Sequence, residues 1–478
     1  MARRVAIVGG GVAGVTAAWQ LARLAADGAA VEVVLFEASG RLGGIVETVR
    51  CDEFVIECGP DGWVTDKPWA RELAEELGLR AEIISSNDAT RKTYVLQDGE
   101  LVMMPDGMRM MVPKGLAALD GIDASPLFSA EAKAAFRAEV GRAEELKAGA
   151  PDADESVASF VARHFGMEVL EKIGAPLLGG VFGGDVTKLS VRAVMAPFVK
   201  LEREFGSLVL GMERRSEFAS QRVSGGAKAL ISELAESAAL FTSLRGGSGA
   251  LVERMVEGIP AGWVRLGCPV TGVAKAGDGW VVSTVIGTEQ FDAVMMAAPV
   301  DVARELLRAT DARAAELMEI EATSAVVAAF AFTEAVNLPQ GFGFLVPPGS
   351  KENRLLAGTF VDQKYPSRVP EGGRLVRAFF GGVAADGLLS ASDEEIAGLA
   401  MTELKRVLGK LPSPVLTVVR RWPRALPQYG VGHLERMAEL FRQVEAMGGI
   451  WLLGNGYRGV GLPDLVRDAR SAAVEVAG

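Results

Sequence analysis

The chain has 478 residues, 49% apolar and 23% charged, with 57 Gly and 21 Pro, which is the composition of a folded globular protein of two or three domains. Fifty basic against 61 acidic side chains give a net charge of −11, and that sign disfavours a nucleic-acid partner. Three scattered cysteines exclude a disulfide framework and a cysteine metal cage, and two histidines leave little for a zinc site or a His-driven hydrolytic triad. No metal is therefore expected. No apolar run approaches the roughly 20 residues that cross a bilayer, so any membrane contact would be peripheral.

In chain order, the four-residue run Val5–Val8 leads into Gly9, Gly11 and Gly14 spaced as G-x-G-x-x-G, and an Ala-rich helical segment follows to Leu24. Those glycines interrupt what would otherwise read as the apolar part of a signal segment behind Arg3 and Arg4. Strand, tight turn and helix place backbone N–H groups where a pyrophosphate can sit. A second strand, Val31 to Phe36, ends at Glu37, about twenty residues beyond Gly14, where a carboxylate can accept hydrogen bonds from ribose hydroxyls. Arg41, Gly43 and Gly44 then form an Arg-x-Gly-Gly turn that brings a guanidinium and bare backbone towards the phosphates. The alternative for that turn is a solvated Arg on a Gly-rich loop. The pattern resembles that of glutathione-reductase-type flavoproteins, which implies FAD as cofactor; Gly59 joins the expected flavin contacts on that basis.

Residues 115–220 have helical periodicity, for example Ser129 to Lys147 and Val157 to Phe165, and read as an inserted helical subdomain. Val270 to Ala274 and Phe291 to Pro299 read as strands returning to the nucleotide domain, with Val270 expected at the flavin. Strands Ala325 to Phe332, Leu355 to Phe360 and Leu375 to Gly381, then a helix Asp393 to Leu408, suggest a sheet walling a substrate pocket. Near the carboxyl end, strand Ile450 to Leu453 meets Gly454, Val460, Gly461 and Leu462 and a helix to about Val476. The positive end of that helix could face the pyrimidine edge of the same flavin. A plain αβ connection is the other reading of this turn. The expected architecture is α/β (α+β overall): a Rossmann-like FAD-binding domain of glutathione-reductase type, a mixed-sheet substrate domain and the helical insert. The boundaries are 1–90, 221–315 and 431–478 for flavin, 91–220 for the insert with part of the pocket, and 316–430 for the sheet.

Four blocks carry a closer resemblance. The segment Gly180 to Ser190, with Leu201 to Glu204 and Ser207-Leu208 behind it, is similar to the oxygen-dependent protoporphyrinogen and coproporphyrinogen III oxidases of heme synthesis. So are Tyr94 to Pro105, Gly341 to Pro347 and Trp422 to His433, and Gly454 to Leu462 resembles that family's closing FAD motif. The resemblance implies Gly180 at a pocket floor, Phe342 and Leu345 against a macrocycle, and Arg91 paired with a propionate. It also implies a porphyrinogen substrate, dioxygen as acceptor, hydrogen peroxide as product and a cytoplasmic protein, with peripheral contact at the inner membrane face or with other heme-synthesis enzymes left open. Arg91 beside Lys92 also reads as a solvated pair, and Phe342 and Leu345 as ordinary core. No protein acid or base is required, because the pyrrole itself drives hydride loss to flavin N5. His433 reads as a structural residue, His164 as weaker still, and the methionines at 103, 104, 108, 110 and 111 as core filler or the lip of an entrance. These blocks do not separate protoporphyrinogen IX from coproporphyrinogen III. An amine oxidase, a carotenoid desaturase-like enzyme and a catalytically idle flavin or porphyrin carrier stand as alternatives.

Overall fold

The computed structural model describes residues 2–222, 239–350 and 353–478. They form two compact units: one from residues 1–86, 240–322 and 435–478, the other from residues 87–239 and 323–434. The second flavin segment, expected from residue 221, enters the first unit at residue 240; residues 221 and 222 end the helix Leu208–Arg222, and 223–238 lie outside the described residues.

The first unit is built on a five-stranded parallel sheet, ordered Val264–Arg265, Val31–Phe36, Arg3–Val8, Ala293–Met296, Ile450–Leu452. These strands read as unbroken apolar runs because both sheet faces are covered. Val5 and Ile7 face helices Val12–Ala26 and Leu462–Ala477, which pack on each other. Ala6 and Val8 face the opposite core, with Trp280, Phe291, Leu307 and Leu440. Val270–Ala276, expected to return to the nucleotide domain, lies in the first unit and pairs with Gly279–Thr284 in a three-stranded antiparallel sheet separate from the parallel one. Its register is set by the tight Gly277 turn (φ 61°), which folds the chain back at once.

The second unit centres on a seven-stranded mixed sheet ordered Leu416–Pro427, Ala322–Phe332, Arg374–Gly381, Ala357–Phe360, Gly343–Leu345, Thr93–Gln97, Glu100–Met103. Its last two strands come from the segment expected to be a helical insert; the insert is helical only from residue 118 onward. Asp98 and Gly99, both at positive φ, make the two-residue turn that turns 93–103 into a hairpin. Val326, Phe330, Phe344, Phe360, Ala378 and Phe380 line one sheet face and pack against Ile396, Ala400 and Leu404 of helix Asp393–Leu408. The single helix expected over 129–147 is two, Ala130–Gly141 and Ala143–Ala148, separated at Arg142. No described helix is long and apolar enough to cross a membrane.

Candidate functional site

The cradle for a dinucleotide starts at the end of strand Arg3–Val8. Gly9 adopts φ +108° and donates its N–H to the Phe36 carbonyl at 2.8 Å; a Cβ there would meet the Ala297 carbonyl oxygen at 2.6 Å. A Cβ at Gly14 would overlap the Gly9 carbonyl oxygen, so this glycine lets the helix close on the turn. Gly11 is different. Its backbone is ordinary extended chain (φ −68°, ψ 178°), open to any residue, and a Cβ there would find nothing within 4 Å. It stands at the start of helix Val12–Ala26, which has no side-chain cap and no acidic residue in its first turn, so its leading N–H groups lack intrahelical partners. Bare backbone, open space and unspent donors fit a pyrophosphate.

Glu37 closes the turn as well as ending its strand. One carboxylate oxygen accepts the Gly10 N–H and the other the Ser39 N–H, both at 2.7 Å, and each keeps a second lone pair for a ribose hydroxyl. The Gly43 N–H bonds the Gly10 carbonyl at 2.8 Å, and Gly43 and Gly44 take φ +105° and +58°. Arg41, expected to reach for phosphates, folds over its own loop onto the Gly44 carbonyl at 2.5 Å and pairs with Glu47 at 3.2 Å. Gly59 leaves no room for a side chain against the Ile45 carbonyl. Val270 is half-buried at the start of the antiparallel sheet, opposite Thr284.

At the other end of the chain, Gly454 (φ +130°) is again open where a Cβ would stand, and Gly461 begins helix Leu462–Ala477 without a side-chain cap. Val460 and Gly461 are half-buried, while the Leu462 side chain is buried in the core and presents only its backbone to the turn. Beneath them lies Asp464, 4% exposed, a residue that spacing did not single out. Its carboxylate takes the Lys67 ammonium at 2.6 Å, and Cβ atoms at Gly459 and Gly461 would meet it at 2.6 and 3.2 Å. An acid in the first turn steadies the positive helix end and fixes the glycine turn above it. Tyr457 is buried against Phe441 and Met318, its phenol pushed up by burial and then by the Asp301 charge.

In the second unit, three of the four residues expected at the substrate converge on one strand junction. Gly343–Leu345 pairs in parallel with Thr93–Gln97, Leu345 opposite Val95, and the Phe342 N–H bonds the Lys92 carbonyl at 2.8 Å, one residue from Arg91. Phe344 points into the core, so Leu345, half-buried, stands on the opposite sheet face; Phe342 is 9% exposed. Arg91 is exposed and pairs with Asp88 at 3.0 Å. Gly180 lies on helix Ala175–Phe182, which packs on strands Gly343–Leu345 and Arg374–Gly381, and it is exposed with open space where a Cβ would stand. The methionines divide: Met111 is fully buried, Met103 is 40% exposed.

Neither histidine is placed to handle a substrate proton. His433 is fully buried and stacked on Tyr429, ring centroids 4.0 Å apart. His164, which its sequence context left unremarkable, is sealed among helices: Nδ1 lies 3.0 Å from Glu139 and Nε2 3.1 Å from Glu202. Glu139 also accepts from the Ser207 hydroxyl and the Leu208 N–H, each at 2.6 Å, and Glu202 pairs with Arg163. Burial presses the imidazole towards neutrality, but the two carboxylates outweigh it and hold its pKa above the usual histidine value.

The family described as flavin containing amine oxidoreductase matches residues 12–477. A coproporphyrinogen III oxidase of Bacillus subtilis is 32% identical over 98% of this chain and 97% of its own. Protoporphyrinogen oxidase 2 of Arabidopsis thaliana is 26% identical, covering 98% and 93%. A solved structure from Exiguobacterium sp. 255-15, ascribed to the protoporphyrinogen oxidases, superimposes with a TM-score of 0.83 at 28% identity over 100% of this chain and 99% of that one.

Proposed function

Since the chain belongs to the flavin-containing amine oxidoreductases, we propose that it is an FAD-dependent oxidase that converts coproporphyrinogen III to coproporphyrin III. The observation that supports the reading is the junction at Lys92 and Phe342, which joins the backbone one residue beyond Arg91 to the strand of Phe342 and Leu345 from a distant part of the sequence, with the Arg91 guanidinium exposed and held by Asp88. A tetrapyrrole is an apolar disc with anionic arms, and it asks for that combination. Gly9, Gly11, Gly14, Glu37, Gly43, Gly44, Gly59 and the Gly454–Leu462 turn would hold the cofactor, Arg41 and Val270 serving at its edges. Bound there, FAD supplies a two-electron acceptor that dioxygen regenerates with release of hydrogen peroxide. Three such rounds remove the six hydrogens that separate porphyrinogen from porphyrin.

The chain's own part is to position and shield. In each of the three rounds one carbon bridging two pyrroles gives up a hydride while a pyrrole N–H loses its proton to solvent, and tautomerisation moves the surplus hydrogen of the fourth bridging carbon onto nitrogen; the burial of both histidines fits a reaction that needs no protein base. Coproporphyrinogen III, with four carboxylates, is favoured over protoporphyrinogen IX, with two, by the cations around Arg91. Burial first, and then the Arg91 and Arg109 guanidiniums, hold the Lys114 ammonium below the usual lysine range, with Asp88 opposing. A carboxylate placed there would relieve that repulsion. The three free cysteines are in keeping with a reducing cytoplasm.

The test is aerobic turnover of the two porphyrinogens side by side, read by porphyrin fluorescence and oxygen uptake. Coproporphyrinogen III is expected to be the better substrate, and failure to oxidise either with FAD bound would overturn the reading. Arg91→Gln is expected to raise KM for coproporphyrinogen III by roughly tenfold, the worth of one charge-assisted hydrogen bond, with kcat little changed.

A further inference from the structure

Helix Ala175–Phe182, which carries Gly180, is poorly able to hold itself in place. It has eight residues, Pro176 in its first turn and adjacent glycines at 179 and 180, and glycine inside a helix costs backbone entropy. A five-residue π-helical segment, Leu170–Gly174, runs straight into it, a local winding that recurs at functional sites and leaves the backbone ladder imperfect. The helix ends at Gly183 in the left-handed conformation (φ +62°), and the last carbonyls of any helix lack intrahelical partners.

One side chain from the far end of the unit's sequence meets that end. Gln428 is 8% exposed, and its two Nε2 hydrogens are shared among three acceptors, the Phe182 carbonyl at 2.5 Å, the Leu426 carbonyl at 2.8 Å and Thr323 Oγ1 at 3.2 Å. The space it fills is kept open by glycine: a Cβ at Gly184 would overlap Gln428 Oε1, and one at Gly183 would meet Thr323 Oγ1 at 2.6 Å and Leu426 Cδ1 at 2.7 Å. The backbone on either side is laced in the same way. Ser190 N–H bonds the Tyr429 carbonyl at 2.7 Å, Val431 N–H the Lys188 carbonyl at 3.0 Å, and Gly432 N–H the Asp154 carboxylate at 2.9 Å. All three acceptors of the Gln428 amide are oxygens, so the Nε2 orientation is dictated by chemistry, and a glutamate could not replace it without setting oxygen against oxygen.

We infer that Gln428 is a positioning residue whose amide clamps the carboxyl end of helix Ala175–Phe182 and so fixes the open glycine face at Gly180 against the substrate. The inference rests on the proposed porphyrinogen reading for what that face receives, and on the hydrogen bonds of Gln428 alone for the clamp. Gln428→Leu and Gln428→Glu, each close in volume to the native side chain, are expected to raise KM for the porphyrinogen roughly tenfold at alkaline pH, the loss of a single well-made hydrogen bond, while kcat and bound flavin stay near wild type. Burial raises a glutamate's pKa, so Gln428→Glu should recover towards wild-type KM as the pH falls and its carboxylic O–H donates to the Phe182 carbonyl; Gln428→Leu should not. Hydrogen exchange over residues 175–184 of the unliganded holoenzyme should be faster in Gln428→Leu than in wild type.

Wild-type KM in both variants, or a joint loss of kcat, KM and flavin content, would overturn the positioning role. Unchanged exchange over 175–184 would overturn the clamp itself. Faster exchange in a protein whose wild type oxidises no porphyrinogen would leave the clamp standing and sink the substrate reading.

Discussion

Gly11→Val protein is expected to fold as well as the wild type and to be purified without flavin. The two halves of that result come from one observation. The Gly11 backbone is in ordinary extended conformation and a Cβ there would meet no atom beyond its chain neighbours within 4 Å, so neither backbone strain nor a clash at Cβ opposes valine in the apoprotein. The objection comes from the cofactor, whose pyrophosphate needs that space to approach the unpaired N–H groups of helix Val12–Ala26. Turnover should fall by roughly a hundredfold or more, as for a reacting group displaced by an ångström. Gly14→Ala is the contrast. Its Cβ would overlap the Gly9 carbonyl oxygen, a backbone atom that cannot swing aside, and overpacking of this kind costs about 3 kcal/mol or more. That variant should lose stability as well as flavin. Flavin absorbance of the purified proteins beside a urea unfolding curve of each separates the cases; a yellow Gly11→Val protein would remove the pyrophosphate from this turn.

Glu139→Ala is expected to destabilise the second unit by roughly 3–5 kcal/mol, the cost of stripping one partner from a buried charged group. It would leave His164, the Ser207 hydroxyl and the Leu208 N–H without their shared acceptor in a cluster that water does not reach. The same cluster gives stability a pH dependence of known sign. The folded pKa of His164 lies above its ordinary value of 6.5, so its contribution is complete below that value and is lost as pH rises through the folded one. Glu202 is shifted the other way: burial opposes its charge, but His164 and Arg163 hold its pKa below the ordinary 4.5. Its contribution is present above that value and fades as the pH falls through the lowered one. Both terms are therefore whole between the two ordinary values. The gap in unfolding free energy between wild type and His164→Leu should narrow on going from about pH 6 to about pH 9. A gap that stays level or widens would mean that His164 is neutral in the folded protein.

The amino-terminal turn was legible because Gly9 and Gly14 answer local demands of backbone conformation and close approach that a short motif records. Helix Asp393–Leu408 was legible to the residue for a similar reason: Ser392 and Glu395 make a reciprocal capping box that stops the helix at a definite place. Other features depend on partners that spacing does not reveal. His164 meets acids 25 and 38 residues away on other helices, Gln428 meets a carbonyl 246 residues away, and Lys67 meets Asp464 across nearly the whole chain. The Asp98-Gly99 hairpin carried a readable turn signal, yet its strands pair with a segment near residue 343, so its membership of the large sheet was not local information. Arg142 divides the expected 129–147 helix just after Gly141, a glycine of the kind a helix interior can also carry, so the break was not readable from it alone. At Arg41 the motif is present, and Glu47 and the Gly44 carbonyl, which the motif does not reveal, share the guanidinium.

The parallel sheet of the first unit sets a timetable for the ribosome. Its strands are drawn from residues 3–8, 31–36, 264–265, 293–296 and 450–452, and the Arg3 side chain finally bonds the carbonyl of Val476 at 2.8 Å. A nascent chain that has made every glycine of the phosphate turn still has a bare apolar edge beside Ala293–Met296 and an uncovered helix Val12–Ala26 until the last helix emerges. Such long-range pairing is slow and leaves sticky surface exposed while it waits. A premature stop or a protease cut near residue 450 would therefore cost the cofactor while leaving its amino-terminal signature intact, and chaperone demand during synthesis should be heaviest for this unit.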